Sequence, residues 1–215
     1  MKKNLIKRII TSAILIGLLV FFVFNNQFTW LFSLIFVSLF CWVEFINLTN
    51  RILKNNYLFR DILIILAFGY LSLFIILSQI LYNIGFALFI LSVCIFSDIG
   101  GYIVGNIVGG KKLTKISPNK TISGSIGSLL FSLIPTLVLF LDLTHLNYTK
   151  YLTLIILSLL TSVFCQAGDL AISLLKRKAK LKDTGSFLPG HGGFLDRVDG
   201  IIFALPVSTI LLLII

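Results

Sequence analysis

Charge is what this chain has least of. Only 12% of its 215 residues are charged, about half the ~25% of an ordinary soluble domain. Eight are acidic, and Glu44 is the sole glutamate. So few charges exclude a soluble enzyme and a disordered tail. Cysteine is scarcer still. Cys41, Cys94 and Cys165 each lie inside an apolar run, with no short spacing between them, which excludes both a zinc-ligand pattern and a disulfide framework. No internal repeat or low-complexity linker interrupts the chain, so a single domain over residues 1–215 is the simplest organisation.

What is present instead is apolar sequence. Hydrophobic residues make up 58% of the chain, and the mean hydropathy is +1.05. The 18 Lys and Arg residues outnumber the acids and give a net charge of +10. A basic excess often marks a nucleic-acid binder. Here long apolar runs fill most of the sequence, which points away from nucleic acid and toward an all-α, polytopic integral membrane bundle.

Seven runs have the length of a membrane helix: 9–24, 28–48, 62–81, 84–108, 122–141, 151–175 and 200–215. The first follows Lys2, Lys3, Lys7 and Arg8 as a signal peptide would. It ends in Phe24-Asn25-Asn26-Gln27 with no small-x-small cleavage site, so it is expected to be an uncleaved span. The fourth and sixth runs are long enough to break into half-helices. Basic residues fall almost entirely in alternate loops: 17 of the 18 lie before the first run or after the second, fourth and sixth, and Lys150 alone lies on the other side. The positive-inside rule therefore predicts a cytoplasmic N-terminus and an external C-terminus. Polar chemistry is sparse in residues 1–97, concentrated in residues 98–199, and followed by a last helix at 200–215.

Near the end of the sixth run, Gln166, Asp169, Ser173 and Lys176 (or Arg177) recur at helical spacing and share one face. An aspartate in or beside a membrane helix is costly and is expected to face a partner, water or a metal. A structural pairing of Asp169 with a lysine is the plainer alternative. The stretch from Lys176 to Gly200 adds Asp183, Asp196 and Asp199, so half of the acids fall within 31 residues, interleaved with Lys176, Arg177, Lys178, Lys180, Lys182 and Arg197. Pro189-Gly190-His191-Gly192-Gly193 predicts a tight turn where backbone can approach a ligand. Carboxylates suit Mg²⁺, which takes one or two of them together with substrate phosphates. Lys and Arg suit the phosphates themselves. At an inner membrane face this combination serves metal-assisted transfer on a nucleotide. A merely solvated loop would leave the glycines around His191 unexplained.

A second cluster starts at Ser97-Asp98. Ser97, Gly101, Gly105 and Gly109 form a small-residue stripe suited to close helix packing, and Asp98 with Tyr102 could serve a metal or a headgroup. The string from Gly105 to Lys112 nearly matches a phosphate-binding P-loop. It lacks the final Ser/Thr and follows a membrane span rather than a strand, so that reading is rejected. Ser117, Lys120 and Thr121, opening the fifth run, could hold phosphate at a helix N-terminus. Glu44 closes the second run beside Trp42 and reads as structural.

The motif Ser173-Leu174-Leu175-Lys176-Arg177, Lys182-Asp183, then Leu188-Pro189-Gly190-His191-Gly192-Gly193-Phe194-Leu195-Asp196-Arg197-Val198-Asp199 resembles the signature of the phosphatidate cytidylyltransferase (CDP-diacylglycerol synthase) family. Ser97-Asp98-x-x-x-Tyr102-x-x-Gly105 and Ser117-Pro118-x-Lys120-Thr121-x-x-Gly124 resemble a further family motif, and Gln166-Ala167-Gly168-Asp169 the run before the signature. Glu44 after Trp42 is similar to an early family glutamate. The chain departs from the family in lacking a helix or two between Glu44 and Asp98. It also has Ser123 where Glu or Gln is usual, and Thr184 and Gly200 where Ser is common.

The resemblance implies that CTP and phosphatidate react to give CDP-diacylglycerol and pyrophosphate. It implies Mg²⁺ as cofactor, with K⁺ a candidate second cation, held by Asp169, Asp196 and Asp199, with Asp98 a weaker ligand. Lys176, Arg177, Lys182 and Arg197 would neutralise phosphates, and Ser117, Lys120, Thr121, Ser173 and Asp183 would help place substrate. His191, Gly192 and Gly193 would shape the nucleotide pocket. A multi-pass protein of the cytoplasmic membrane is expected, with its active site on the inner face and a homodimer as a candidate assembly. The nearest competing activity is a CTP-dependent kinase of lipid alcohols. A transporter is a remote alternative, because its acids would be spread through the bilayer. The motif of the CDP-alcohol phosphotransferases is absent.

Overall fold

The computed structural model describes residues 11, 14, 17–142, 148–188 and 192–214, and these are helical with short connections. In order the helices are α1 (Gln27–Ile52), α2 (Tyr57–Asn83), α3 (Ala87–Val108), α4 (Ile122–Phe131), α5 (Ile134–Asp142), α6 (Tyr148–Lys178) and α7 (Leu195–Ile214). Among the described residues the only β pairings are isolated bridges, Lys112 with Thr121 and Leu188 with Gly192. Among the described residues six segments are long and apolar enough to cross a membrane: α1, α2, α3, the combined stretch Ile122–Leu139, Lys150–Lys178 and α7. Large apolar side chains such as Leu58, Ile65 and Ile107 stand exposed along them, as lipid-facing residues do. The chain is a polytopic membrane helical bundle. The expected first span lies largely outside the described residues; its described part, 17–24, is helical.

Three boundaries depart from the sequence reading. The fourth and sixth runs are continuous, as α3 and α6, and it is the fifth that breaks, at Ser132-Leu133. Pro135 explains the place: without an N–H it cannot bond the Phe131 carbonyl, and its ring would clash there. Pro135 sits instead in the first turn of α5, where a missing donor costs nothing. The long charged stretch is also shorter than expected. Helix α6 continues through Lys176, Arg177 and Lys178, whose positive charges suit a helix C-terminus, and α7 begins at Leu195 with Asp196 in its first turn, where a negative charge is favoured. Arg197 and Asp199 are therefore helical rather than in the loop.

The chain sorts into two compact units, each drawn from separate stretches: 1–79 with 175–198, and 80–174 with 199–215. In the first, α1 opens with a reciprocal cap. The Asn26 side chain accepts from the Phe28 and Thr29 amides at 3.0 and 2.9 Å, while Thr29 Oγ1 accepts from the Asn26 amide. Trp30, Leu34, Ser38, Cys41, Glu44 and Leu48 fall three or four residues apart and form its buried face. Two indoles fasten α1 to α2, Trp30 to the Ser78 carbonyl and Trp42 to the Ile64 carbonyl.

In the second unit, α3 and α4 meet through small residues on both helices. A Cβ added at Gly127 would lie 2.5 Å from the Val104 Cβ, and one at Gly124 would lie 2.8 Å from the Gly101 carbonyl. The small-residue stripe of α3 is thus used within the chain, as close packing in lipid requires. Hydroxyl pairs join the other helices: Ser97 to Ser162 (α3–α6), Thr136 to Ser158 (α5–α6) and Thr161 to Ser208 (α6–α7), each at 2.7 or 2.8 Å.

Candidate active site

The polar residues picked out from sequence fall into two groups, one in each unit. In the second unit, α6 presents Gln166 and Asp169 one turn apart. Gln166 Oε1 accepts from Ser125 Oγ at 2.5 Å, and Gln166 Nε2 donates to Ser162 Oγ at 3.3 Å, which extends the Ser97–Ser162 pair to one turn before the aspartate. Asp169 forms an ion pair with Lys120. Asp98, on α3, lies close enough for its charge to interact with both Asp169 and Lys120, and among the described residues it meets the Cys165 thiol at 3.9 Å, a weak contact. Asp199, on α7, comes beside α6 because glycines permit it. A Cβ at Gly168 would lie 2.6 Å from the Asp199 carbonyl, and one at Gly200 would lie 2.5 Å from Cys165 Sγ. That second contact accounts for glycine at position 200, where Ser is common in the family.

Lys120 reaches Asp169 from a folded loop. Gly109 and Gly110 turn the chain out of α3 with φ of +61° and +101°, values that favour glycine. The Leu113 amide then donates to the Lys120 carbonyl at 2.9 Å, and the Ile122 amide to the Lys111 carbonyl at 3.0 Å. Thr121 caps α4 by accepting from the Gly124 amide at 3.0 Å. Ser123 donates to the Gly109 carbonyl and closes the loop, which is the work this residue does where a longer Glu or Gln is usual. Ser117 stands at the turn before Lys120, its carbonyl accepting from the Lys120 amide at 3.1 Å.

The group in the first unit is built differently. Asp196 Oδ1 accepts from Lys176 Nζ at 2.7 Å in a largely buried pair. Its Oδ2 faces the Thr184 amide at 2.8 Å, Thr184 Oγ1 at 3.0 Å and the Gly193 amide at 3.0 Å. A carboxylate has about four lone-pair sites, so Asp196 keeps little capacity for a cation. Behind it lies Glu44, 0% exposed, whose oxygens accept from Thr184 Oγ1 at 2.5 Å and from the Phe194 and Leu195 amides at 2.9 and 3.0 Å. A carboxylate from α1 thus satisfies the opening amides of α7. Phe36 and Phe40 of α1 stack around it on Phe187 and Phe194 of the loop, with ring centres 4.8 to 6.0 Å apart. Gly192 adopts φ +87°, and the Leu188 amide donates to its carbonyl at 2.9 Å; the rest of the turn expected from Pro189 to Gly193 lies largely outside the described residues.

The remaining expected residues stand as follows. Arg177, Lys182, Asp183 and Arg197 are exposed, and Ser173 is buried in α6. Pro189, Gly190 and His191 lie outside the described residues. Among the described residues no three His, Cys, Asp or Glu side chains converge on a point that could hold a metal. Asp98 and Asp169 come together as a pair with open oxygens. That set fits Mg²⁺, which takes one or two carboxylates and completes its shell with water and phosphate. Glu44 is the residue whose part the sequence reading understated. The signal was available: a lone ionisable residue in an apolar helix is a functional candidate by default.

The sequence pattern of the cytidylyltransferase family matches residues 51–215. The chain is 37% identical over 220 residues to a phosphatidate cytidylyltransferase of Staphylococcus saprophyticus, an alignment that covers 98% of this chain and 82% of that protein. It is 38% identical to the Staphylococcus haemolyticus protein of that name, over 80% of this chain and 67% of the relative. With the Bacillus subtilis protein of that name it shares 43% identity over 54% of this chain and 43% of the relative.

Proposed function

The chain belongs to the cytidylyltransferase family, and from that membership we propose how its residues perform the transfer of a cytidylyl group from CTP to phosphatidate. The products are CDP-diacylglycerol and pyrophosphate. The observation that carries the reading is the likeness to phosphatidate cytidylyltransferases along nearly the whole chain.

In the reaction a phosphate oxygen of phosphatidate attacks the α-phosphorus of CTP, and the bond to the pyrophosphate leaving group breaks. The nucleophile is already an anion, so no strong base is needed. The obstacles are repulsion between anions and their alignment, and fixed positive charge reduces both. Asp98 and Asp169 are the residues we assign to Mg²⁺, with Asp199 on the adjoining helix as the further candidate ligand. When bound, Mg²⁺ supplies charge that offsets the triphosphate oxygens. Lys120 holds Asp169 in place and brings a cation to the same spot. Ser117 and Thr121 flank that lysine on the loop and the α4 cap, where an anion is favoured. Arg177, Lys182 and Arg197, exposed and cationic, take substrate phosphates. Asp196 holds Lys176 and the loop before α7 rather than the metal. The strong bias of basic residues to alternate loops supports a cytoplasmic active face.

CTP labelled separately in the cytosine and the γ-phosphate tests this. Purified enzyme with phosphatidate should place cytosine in the lipid, release the γ-label in pyrophosphate, and stop when Mg²⁺ is chelated. Transfer of the γ-phosphate into lipid would mean a lipid kinase and overturn the assignment.

A further inference from the structure

Glu44 lies outside the segment that matches the family pattern and sits in α1, and among the described residues its bonds go to Thr184, Phe194 and Leu195 rather than to the cations expected to meet substrate. Its carboxylate is nevertheless fully buried and closely bonded. Three donors converge on the carboxylate, from Thr184 Oγ1, Phe194 N and Leu195 N, and each belongs to the segment carrying the signature motif. Thr184, one of those donors, and Gly193, next to Phe194, are also the residues that hold Asp196 Oδ2. The contact is tight on the loop side as well: a Cβ on Gly185 would lie 2.6 Å from Glu44 Oε1, and one on Gly193 would lie 2.5 Å from the same oxygen. A fully buried charge in an apolar helix is expensive unless it is fully bonded. Here the bonding is spent on one object, the loop between α6 and α7.

We infer that Glu44 is a positioning residue for cytidylyl transfer. Through Thr184 and the first amides of α7 it sets the conformation of the loop and, one bond further on, the orientation of Asp196 and its partner Lys176. The charge itself is what the site uses. A glutamine of the same size has one acceptor oxygen where the carboxylate has two, and its NH₂ would face a backbone N–H or the Thr184 hydroxyl. Loop and helix start would then lose at least one bond and become free to move, with no substrate contact removed.

The kinetic arm of the test rests on the proposed reaction; the exchange arm does not. Full-length enzyme in detergent micelles is compared with Glu44→Gln by turnover per folded molecule and by amide hydrogen exchange. A misplaced loop is expected to lower kcat about a hundredfold while KM for CTP and phosphatidate stays within about threefold. Exchange at Gly193, Phe194 and Leu195 should accelerate by about tenfold or more, with α3 and α4 unchanged. Retained turnover, turnover lost without faster exchange at those amides, or exchange accelerated equally along the whole chain would each overturn the inference. If Glu44→Gln does not fold, Thr184→Ser and Thr184→Val decide. Serine, which keeps the hydroxyl, should keep at least about a third of native kcat, and valine should fall at least about tenfold below it. Equal turnover in the two overturns the inference. A native enzyme that transfers no cytidylyl group would defeat the reaction assignment while leaving the exchange result to stand or fall alone.

Discussion

The two groups of carboxylates differ in how much of their bonding capacity the protein itself uses. In the first unit Glu44 and Asp196 meet six polar contacts from Thr184, Gly193, Phe194 and Leu195, and Asp196 meets Lys176 besides. In the second unit, among the described residues, Asp98 meets a distant thiol and Asp169 pairs with Lys120. The motif that looks most acidic in sequence therefore contains carboxylates of two kinds. Saturated ones shape backbone, and open ones have oxygens left for something that arrives from outside. Sequence spacing does not separate the kinds, because both are aspartates near a membrane-helix end.

The strongest test of that division is Asp169→Asn. Turnover should fall by about a thousandfold or more. The Mg²⁺ concentration giving half-maximal activity should rise, and the melting temperature should stay within about 2 °C of native, since one partly exposed ion pair contributes little. A variant that unfolds instead would put Asp169 with the structural carboxylates. Asp196→Asn should show the reverse order. It strands Lys176 in a largely buried setting, at a cost of about 3–5 kcal/mol, so melting falls first and activity per folded molecule falls less than in Asp169→Asn. An unchanged melting temperature with a raised Mg²⁺ requirement would move Asp196 into the metal set. The smallest expected effect is Ser125→Ala. It removes one hydrogen bond to Gln166 and should cost about 1 kcal/mol, with a modest loss of kcat and no change in Mg²⁺ dependence.

Much of this architecture was readable from hydropathy alone, because in lipid a helix must satisfy its own backbone and needs a fixed apolar length. The breaks were not. Length pointed to the fourth and sixth runs, whereas the feature that decides is local: Pro135 denies one bond to Phe131 within a run of ordinary length. Helix α7 starts five residues before its apolar run for a related reason. Hydropathy measures side chains, and this helix begins among polar residues because Glu44 offers its amides a partner from another helix. Within the site, the residue types at Asp98, Lys120, Asp169 and Gln166 were legible, since polar groups in an apolar sequence are conspicuous. Their pairings were not. Lys120 with Asp169, or Ser125 with Gln166, joins positions more than forty residues apart, and the pattern of one helix carries no information about which face of another it will meet.

The separation between Glu44 and its donors has a consequence for assembly. The Phe194 amide follows Glu44 by 150 residues. At a synthesis rate of ~5–20 residues per second, roughly 8–30 seconds pass between the two leaving the ribosome. Throughout that interval the helix holding Glu44 carries a carboxyl group whose final hydrogen-bond donors do not yet exist. The early helices are thus marked as incomplete, and the mark is erased only when α7 arrives. A chain that stops short of Thr184 keeps it.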